Sequence, residues 1–264
     1  MDLQLRDKIA VVTGASKGIG LAVAQALAEE GARVFAASRE AEQVFSRLPA
    51  HASIFPVSVD LSTPDGPEQL INHAVSRFGG VDILVNNVGN AKMHAGGFLE
   101  TSDADWQRLF DVNLMSMVRT SRAALPSMIE RGKGSIVNIS SVNGRLPSSL
   151  VVEYSALKAA MTNLSKGLAG EFGPKGIRVN TVSPTSVRTP LWVDEDGLAA
   201  SMGQAMGADR ETILEQLPQM LGITLGRLVE PQEVADLVVF LASDRSAMIT
   251  GVDYLIDGGS IKTV

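Results

Sequence analysis

A chain of 264 residues with 45% apolar content can bury the core of one α/β domain, and its net charge of −6 offers no basic surface for nucleic acid. It has no cysteine, which excludes a disulfide scaffold and a thiolate metal site; its three histidines, His51, His73 and His94, lack ligand spacing, so no metal is expected. The histidines read as surface residues, with His94 on a segment that could rim a site.

The first predicted strand, Lys8 to Val12, is a short apolar run suited to burial on both faces of a parallel sheet. Seven residues precede it, too few for a secretory signal, and no apolar run reaches the length of a membrane span, so the expected compartment is the cytoplasm. Thr13-Gly14-Ala15-Ser16-Lys17-Gly18-Ile19-Gly20 follows, and Leu21 to Glu30 reads as a helix that Gly31 is placed to end. Strand, glycine turn and helix make a phosphate cradle, because glycine lets the backbone approach a pyrophosphate and the helix N-terminus offers free N–H groups. An ordinary tight βα turn has the same outline, and the spacing here is G-x-x-x-G-x-G rather than the commoner G-x-G-x-x-G. Further strands are predicted at Arg33 to Ala37, Ile54 to Val59, Val81 to Asn86, Ser135 to Ser140, Ile177 to Val182 and Asp253 to Ile256, with helix-like stretches between them. That alternation predicts one α/β domain over 1–264, a doubly wound, Rossmann-like parallel sheet with helices on both faces. Pro56 cannot donate to a ladder and points to an edge position for the third strand.

Tyr154 and Lys158 stand four residues apart, so on a helix they share a face. A free phenol titrates near ~10; an ammonium about 4 Å away, at an effective dielectric of ~20, supplies roughly the 4 kcal/mol needed to bring it to neutrality. Such a tyrosine exchanges a proton with a carbonyl oxygen or an alcohol. Alone, the pair would more often be a surface feature. Gly14, Arg39, Asp60, Asn87, Ser141 and Pro184, however, each follow a predicted strand, and in an open parallel sheet those ends line one crevice.

Taken in order, these motifs resemble the short-chain dehydrogenase/reductase family over essentially the whole chain. The resemblance rests on Thr13 to Gly20, Asp60-Leu61, Asn86-Asn87-Val88-Gly89, Asn113, Ser141, Tyr154 with Lys158, Ser183-Pro184-Thr185 and Thr189. It implies that Tyr154 is the acid or base, that Ser141 bonds the reacting oxygen, that Lys158 holds the nicotinamide ribose and lowers the phenol pKa, and that Asn113 holds a relay water. Gly14, Ser16, Lys17, Gly18, Ile19, Gly20, Leu61, Pro184, Val187 and Thr189 would line the cofactor. Asn87 and Gly89 would meet its ribose and Asp60 its adenine amine. Asn113 could equally kink its helix, and Asp60 could simply end a strand. Asn143, Thr185, Leu191 and Trp192 join Ser141 as candidate substrate contacts.

At the end of the second strand an acidic residue would favour NAD; Ser38, Arg39 and nearby Lys17 instead favour the extra phosphate of NADP(H) over NAD(H). Glu40 and Glu42 temper this, since either could pair with Arg39. The stretch from Pro190 to Gly226 resembles a mobile substrate lid, rich in Met and Leu and suited to a bulky carbonyl compound, although the same residues could simply pack onto the body. Thr185 stands where the family has glycine; the expectation is an ordinary backbone there, with a pocket narrowed by the side chain. The expected activity is hydride transfer between NADP(H) and a secondary alcohol or ketone carbon. The alternative is a nucleotide-binding module that senses or assembles without catalysis. The resemblance also implies a homotetramer or homodimer, for which the small face Ala156, Ala159, Ala160, Asn163 and Gly167 would permit close helix contact, unless that face packs internally. Tyr254, in the last predicted strand, reads as structural.

Overall fold

The computed structural model describes residues 2–94 and 96–263. Seven strands occur among them: β1 (Ile9–Thr13), β2 (Arg33–Ser38), β3 (Ile54–Ser58), β4 (Ile83–Asn86), β5 (Gly134–Ile139), β6 (Ile177–Pro184) and β7 (Asp253–Ile256). All pair in parallel, in the order β3-β2-β1-β4-β5-β6-β7. The helices are α1 (Gly18–Glu29), α2 (Ala41–Phe45), α3 (Gly66–Phe78), α4 (Asp103–Leu109), α5 (Ser116–Glu130), α6 (Val152–Phe172), α7 (Pro190–Val193), α8 (Leu198–Met206), α9 (Arg210–Met220) and α10 (Pro231–Ala242). None among the described residues is long and apolar enough to cross a membrane.

The period-two geometry of the strands builds two cores. Ala10 and Val12 of β1 join Val34, Ala36, Ile83 and Val85 in a cluster closed by Val23 and Leu27 of α1 and by Val234 and Val238 of α10. Ile9 and Val11 point the other way, with Phe35, Ala37 and Leu84, against Leu70 and Ala74 of α3 and Leu125 and Met128 of α5. A third, small cluster of Leu217, Ile223 and Leu228 takes Trp192, Met202 and Leu214 against it, apart from the sheet. Burial on both faces explains why the run Ile9 to Val12 of β1 is continuously apolar rather than alternating.

Pro56 lies on β3, at the edge of the sheet, with Ala36 as its only register partner. Its missing N–H therefore interrupts no central ladder. β1 has β2 on one side and β4 on the other, so the chain reverses its winding there and opens a crevice at the strands' carboxyl ends.

Candidate active site

The turn between β1 and α1 is shaped by close approach. Gly14 has φ +65°, and a Cβ there would stand 2.9 Å from Asn87 Nδ2; a Cβ on Gly20 would run into the Gly14 carbonyl oxygen. Lys17 precedes α1 without a side-chain cap, so the first-turn N–H groups at Gly18, Ile19 and Gly20 are left for another acceptor. Gly18 faces Thr189, which begins α7. Asn87 Nδ2 donates to the carbonyls of Thr13 (2.9 Å) and Gly14 (3.1 Å), while Thr13 Oγ1 accepts the N–H groups of Asn87 (2.9 Å) and Val88 (3.1 Å). The Asn87 amide, expected against a ribose, thus spends both donors on stitching the glycine turn to the end of β4. Ser16 lies half-buried in that turn.

At the end of β2, Ser38 Oγ is buried without a hydrogen-bond partner. Arg39 is exposed, and among the described residues no carboxylate pairs with it or with Lys17, so Glu40 and Glu42 leave its charge available. Asp60 is exposed; the Ser62 hydroxyl (2.7 Å) and N–H (2.9 Å) hold its carboxyl below the usual range, with Arg39 adding a smaller pull. Leu61 is buried in the second core.

Lys158 is 3% exposed, yet among the described residues its Nζ meets no carboxylate; it donates to the Ile139 carbonyl at 2.7 Å and lies 5.4 Å from the centre of the Tyr154 ring. A Cβ on Gly89 would stand 2.9 Å from Asn113 Oδ1 and 3.6 Å from Lys158 Nζ, so the loop after β4, the helix bearing Asn113 and α6 converge at one point. Asn113 sits in a π-helical turn, Phe110–Met115, that joins α4 to α5. Its Nδ2 donates to the carbonyls of Asn90 (2.9 Å) and Leu109 (3.1 Å), and its Oδ1 accepts the Asn90 N–H (3.1 Å). Its side chain clasps the loop after β4, a role the sequence does not announce.

Ser141 follows β5 by two residues, and its Oγ accepts the Asn143 N–H at 3.1 Å. Half-buried Tyr154 does not show the lowered pKa expected of it: burial pushes the phenol up to about 12, and the Ser141 hydroxyl counters only part of that. Burial also brings Lys158 down to about 7. The physical reason is shared: packing that disfavours charge raises an acid, lowers a base and weakens the ammonium that was to pull the phenol down.

Pro184 ends β6 and is buried. Thr185 avoids the left-handed region and donates its N–H to the Ile256 carbonyl at 3.3 Å, as the ordinary-backbone expectation required. Val187 is buried and bridges Val229. Leu191 and Trp192 lie on α7, which packs on α8 and α9; Leu191 is exposed, while Trp192 faces the third cluster, so its ring is committed to packing. Tyr254 packs against the first core. The five small residues of α6 from Ala156 to Gly167 are exposed, which rules out internal packing of that face.

His51 and His73 are on the surface, but His94 is not: it is 5% exposed, and its Nε2 shares a 2.7 Å hydrogen bond with Oε1 of Glu153, which is fully buried. The surface reading fails because a buried carboxylate requires a partner. Glu153 escaped notice; the signal was an acidic residue directly before Tyr154 on an otherwise apolar approach.

A glycine turn at the switch point of a parallel sheet, with tyrosine, lysine, serine and asparagine gathered across the crevice, is the arrangement of a doubly wound nucleotide-binding oxidoreductase. The chain belongs to the short chain dehydrogenase family, whose sequence model matches residues 8–197. It is 38% identical to an L-xylulose reductase of Bos taurus, covering 100% of both chains. It is also 36% identical to a 3-alpha-(or 20-beta)-hydroxysteroid dehydrogenase of Mycobacterium tuberculosis, over 99% of this chain and 92% of that one. Among solved structures, the L-sorbose reductase of Gluconobacter frateurii complexed with NADPH and L-sorbose superposes with a TM-score of 0.90 at 33% identity, over 100% of both chains.

Proposed function

We propose that the chain is an NADP(H)-dependent oxidoreductase acting on a secondary alcohol or ketone, with Tyr154 as the general acid and base. The observation that carries this reading is Lys158: a buried amine with no carboxylate partner among the described residues, held by the Ile139 carbonyl beside the Tyr154 ring. Burying a lone cation is costly, and such a group in a cleft is characteristic of function. The four groups Asn113, Ser141, Tyr154 and Lys158 favour an enzyme over a sensing module, which has no use for the set.

The residues present fit the dinucleotide. The first-turn N–H groups of α1 suit a pyrophosphate, and the unpartnered Ser38 Oγ with unpaired Arg39 and Lys17 suits a phosphate on the adenine ribose. Asp60, Gly89, Pro184, Val187 and Thr189, each at or after a strand end, would line the dinucleotide along the same crevice. A dinucleotide held by these residues would bring hydride-transfer chemistry to the crevice. Lys158, with N–H donors beyond the one given to Ile139, holds the neighbouring ribose. Ser141 Oγ and the Tyr154 hydroxyl take the reacting oxygen between them, and the phenol gives up or receives the proton. Both donors of the Asn113 amide are occupied, so its main-chain carbonyl in the widened π-helical turn is the group to hold a relay water for Lys158. The segment 190–226 serves as a lid, and Thr185 and Asn143 narrow the pocket. The homologous sugar and steroid enzymes span polar and apolar alcohols, and a secondary alcohol is the chemistry common to both. The exposed small face of α6 suits assembly with further copies of the chain.

Tyr154→Phe keeps the ring and removes the proton. Turnover of NADPH against a panel of ketones, diketones, quinones and keto esters should fall by at least the ~10²-fold typical of acid–base catalysis, with cofactor affinity kept. Full activity of that variant would remove Tyr154 from the mechanism. In titrations of both cofactors, Arg39→Asp should weaken NADPH by about tenfold or more, the equivalent of about 1.4 kcal/mol, and leave NADH little changed. Unchanged NADPH affinity would end the assignment of NADP(H).

A further inference from the structure

Glu153 is fully buried one residue before Tyr154, and among the described residues it has one hydrogen-bond partner, His94, while its Oε2 is buried with none. His94 is fixed at three points. Its ring meets Glu153 at 2.7 Å, its N–H donates to the Leu150 carbonyl at 2.9 Å, and its carbonyl accepts the Gly97 N–H at 3.0 Å. The short 3₁₀ turn Gly97–Glu100 lies against the 3₁₀ turn Ser149–Val151, which leads straight into α6. Val151 precedes α6 without a capping bond, and on the other side of Tyr154 the Ser155 Oγ accepts the Ser148 N–H at 3.3 Å, so the His94–Glu153 pair is the buried tie from this turn to the segment after β4.

We propose that His94 and Glu153 are positioning residues for Tyr154, clamping the first turn of α6 to the segment after β4 so that the phenol stays against Ser141. The proposal rests on the reading of Tyr154 as the acid and base. Neither residue touches the reacting groups in this arrangement; both act through the backbone of the turn that carries the phenol. A hydrogen-bonded buried pair is directional, whereas apolar packing alone tolerates sliding, and a displacement of about 1 Å at a reacting group can reduce rate by ~10²-fold.

The test need not involve catalysis. Tyr154 and Tyr254 are the only tyrosines, so protein grown on 3-fluorotyrosine gives two ¹⁹F resonances, which Tyr254→Phe assigns. The double variant His94→Leu/Glu153→Leu removes the pair without stranding a buried charge, and Glu153→Gln retains a hydrogen-bond acceptor for the ring. In the double variant the Tyr154 resonance should shift or broaden while Tyr254 stays fixed; in Glu153→Gln both should remain near their original positions. With 9,10-phenanthrenequinone and NADPH, kcat should fall about tenfold or more in the double variant and recover in Glu153→Gln, with the NADPH Kd constant within about threefold. An unmoved Tyr154 resonance, or undiminished kcat in the double variant, overturns the proposal. The spectrum tests placement alone and Tyr154→Phe tests chemistry alone, so failure of one is distinguishable from failure of the other.

Discussion

Gly89 sets the spacing among three parts of the site at once. A methyl group there would stand 2.9 Å from the Asn113 carboxamide oxygen, which accepts the Asn90 N–H, and 3.6 Å from Lys158 Nζ. Gly89→Ala should therefore force the carboxamide aside, cost about 1–3 kcal/mol in stability and lower kcat by about tenfold or more; chemical denaturation and steady-state rates check the two halves, and normal rates would show that the loop yields freely. At this scale much of the site was legible, because glycine, proline and threonine each carry a backbone constraint that can be read from type alone. Pro56 is at the edge, and Thr185 keeps an ordinary φ. What could not be read was partnership across long separations: nothing in the types of residues 94 and 153 says that they meet. The same holds for the raised phenol, because burial is a property of the fold and not of the YxxxK spacing.

Between elements, the most consequential join is the one from β4 to the glycine turn. Two amide donors of Asn87 hold the Thr13 and Gly14 carbonyls, so Asn87→Ala leaves two acceptors short of partners at the point where the cofactor backbone would lie. The expected cost is about 1–3 kcal/mol, with NADPH Kd rising about tenfold; isothermal titration beside a urea melt measures both, and an unaltered Kd would mean that the turn holds its shape unaided. Strand positions were legible where the run is continuously apolar and buried, as in β1 and β4. Their ends were less so: Val81 and Asp82 read as strand, yet β4 begins at Ile83, with Asp82 still bonded through its N–H to the Ile9 carbonyl (2.8 Å) and through its carboxylate to the Ile9 N–H (2.9 Å). The sequence allowed a helix kinked at Asn113, and a π-helical turn is there, but the side chain's bond across to the Asn90 carbonyl could not be read from it.

For the molecule as a whole, Lys158 sets function against stability. Its pKa is lowered in the fold from 10.5 to about 7, so between those values the unfolded chain binds more protons, and stability rises with pH. The cost is in full force below about pH 7 and gone near 10.5. Tyr154 acts oppositely: raised from 10.0 to about 12, it contributes stability that is present below pH 10 and lost as pH climbs toward 12. Lys158→Met should accordingly melt about 5 °C or more higher than the native protein at pH 6, a gap that closes toward pH 10, while losing turnover. Calorimetry across that range tests it; a gap independent of pH would assign the gain to packing instead. The cluster of Leu217, Ile223 and Leu228, with Trp192 folded onto it, has a further consequence. Because its three buried members belong to neither of the two cores that flank the sheet, amide hydrogens of α9 should exchange faster than those of β1; equal protection of the two would show that the cluster is bound into the main fold.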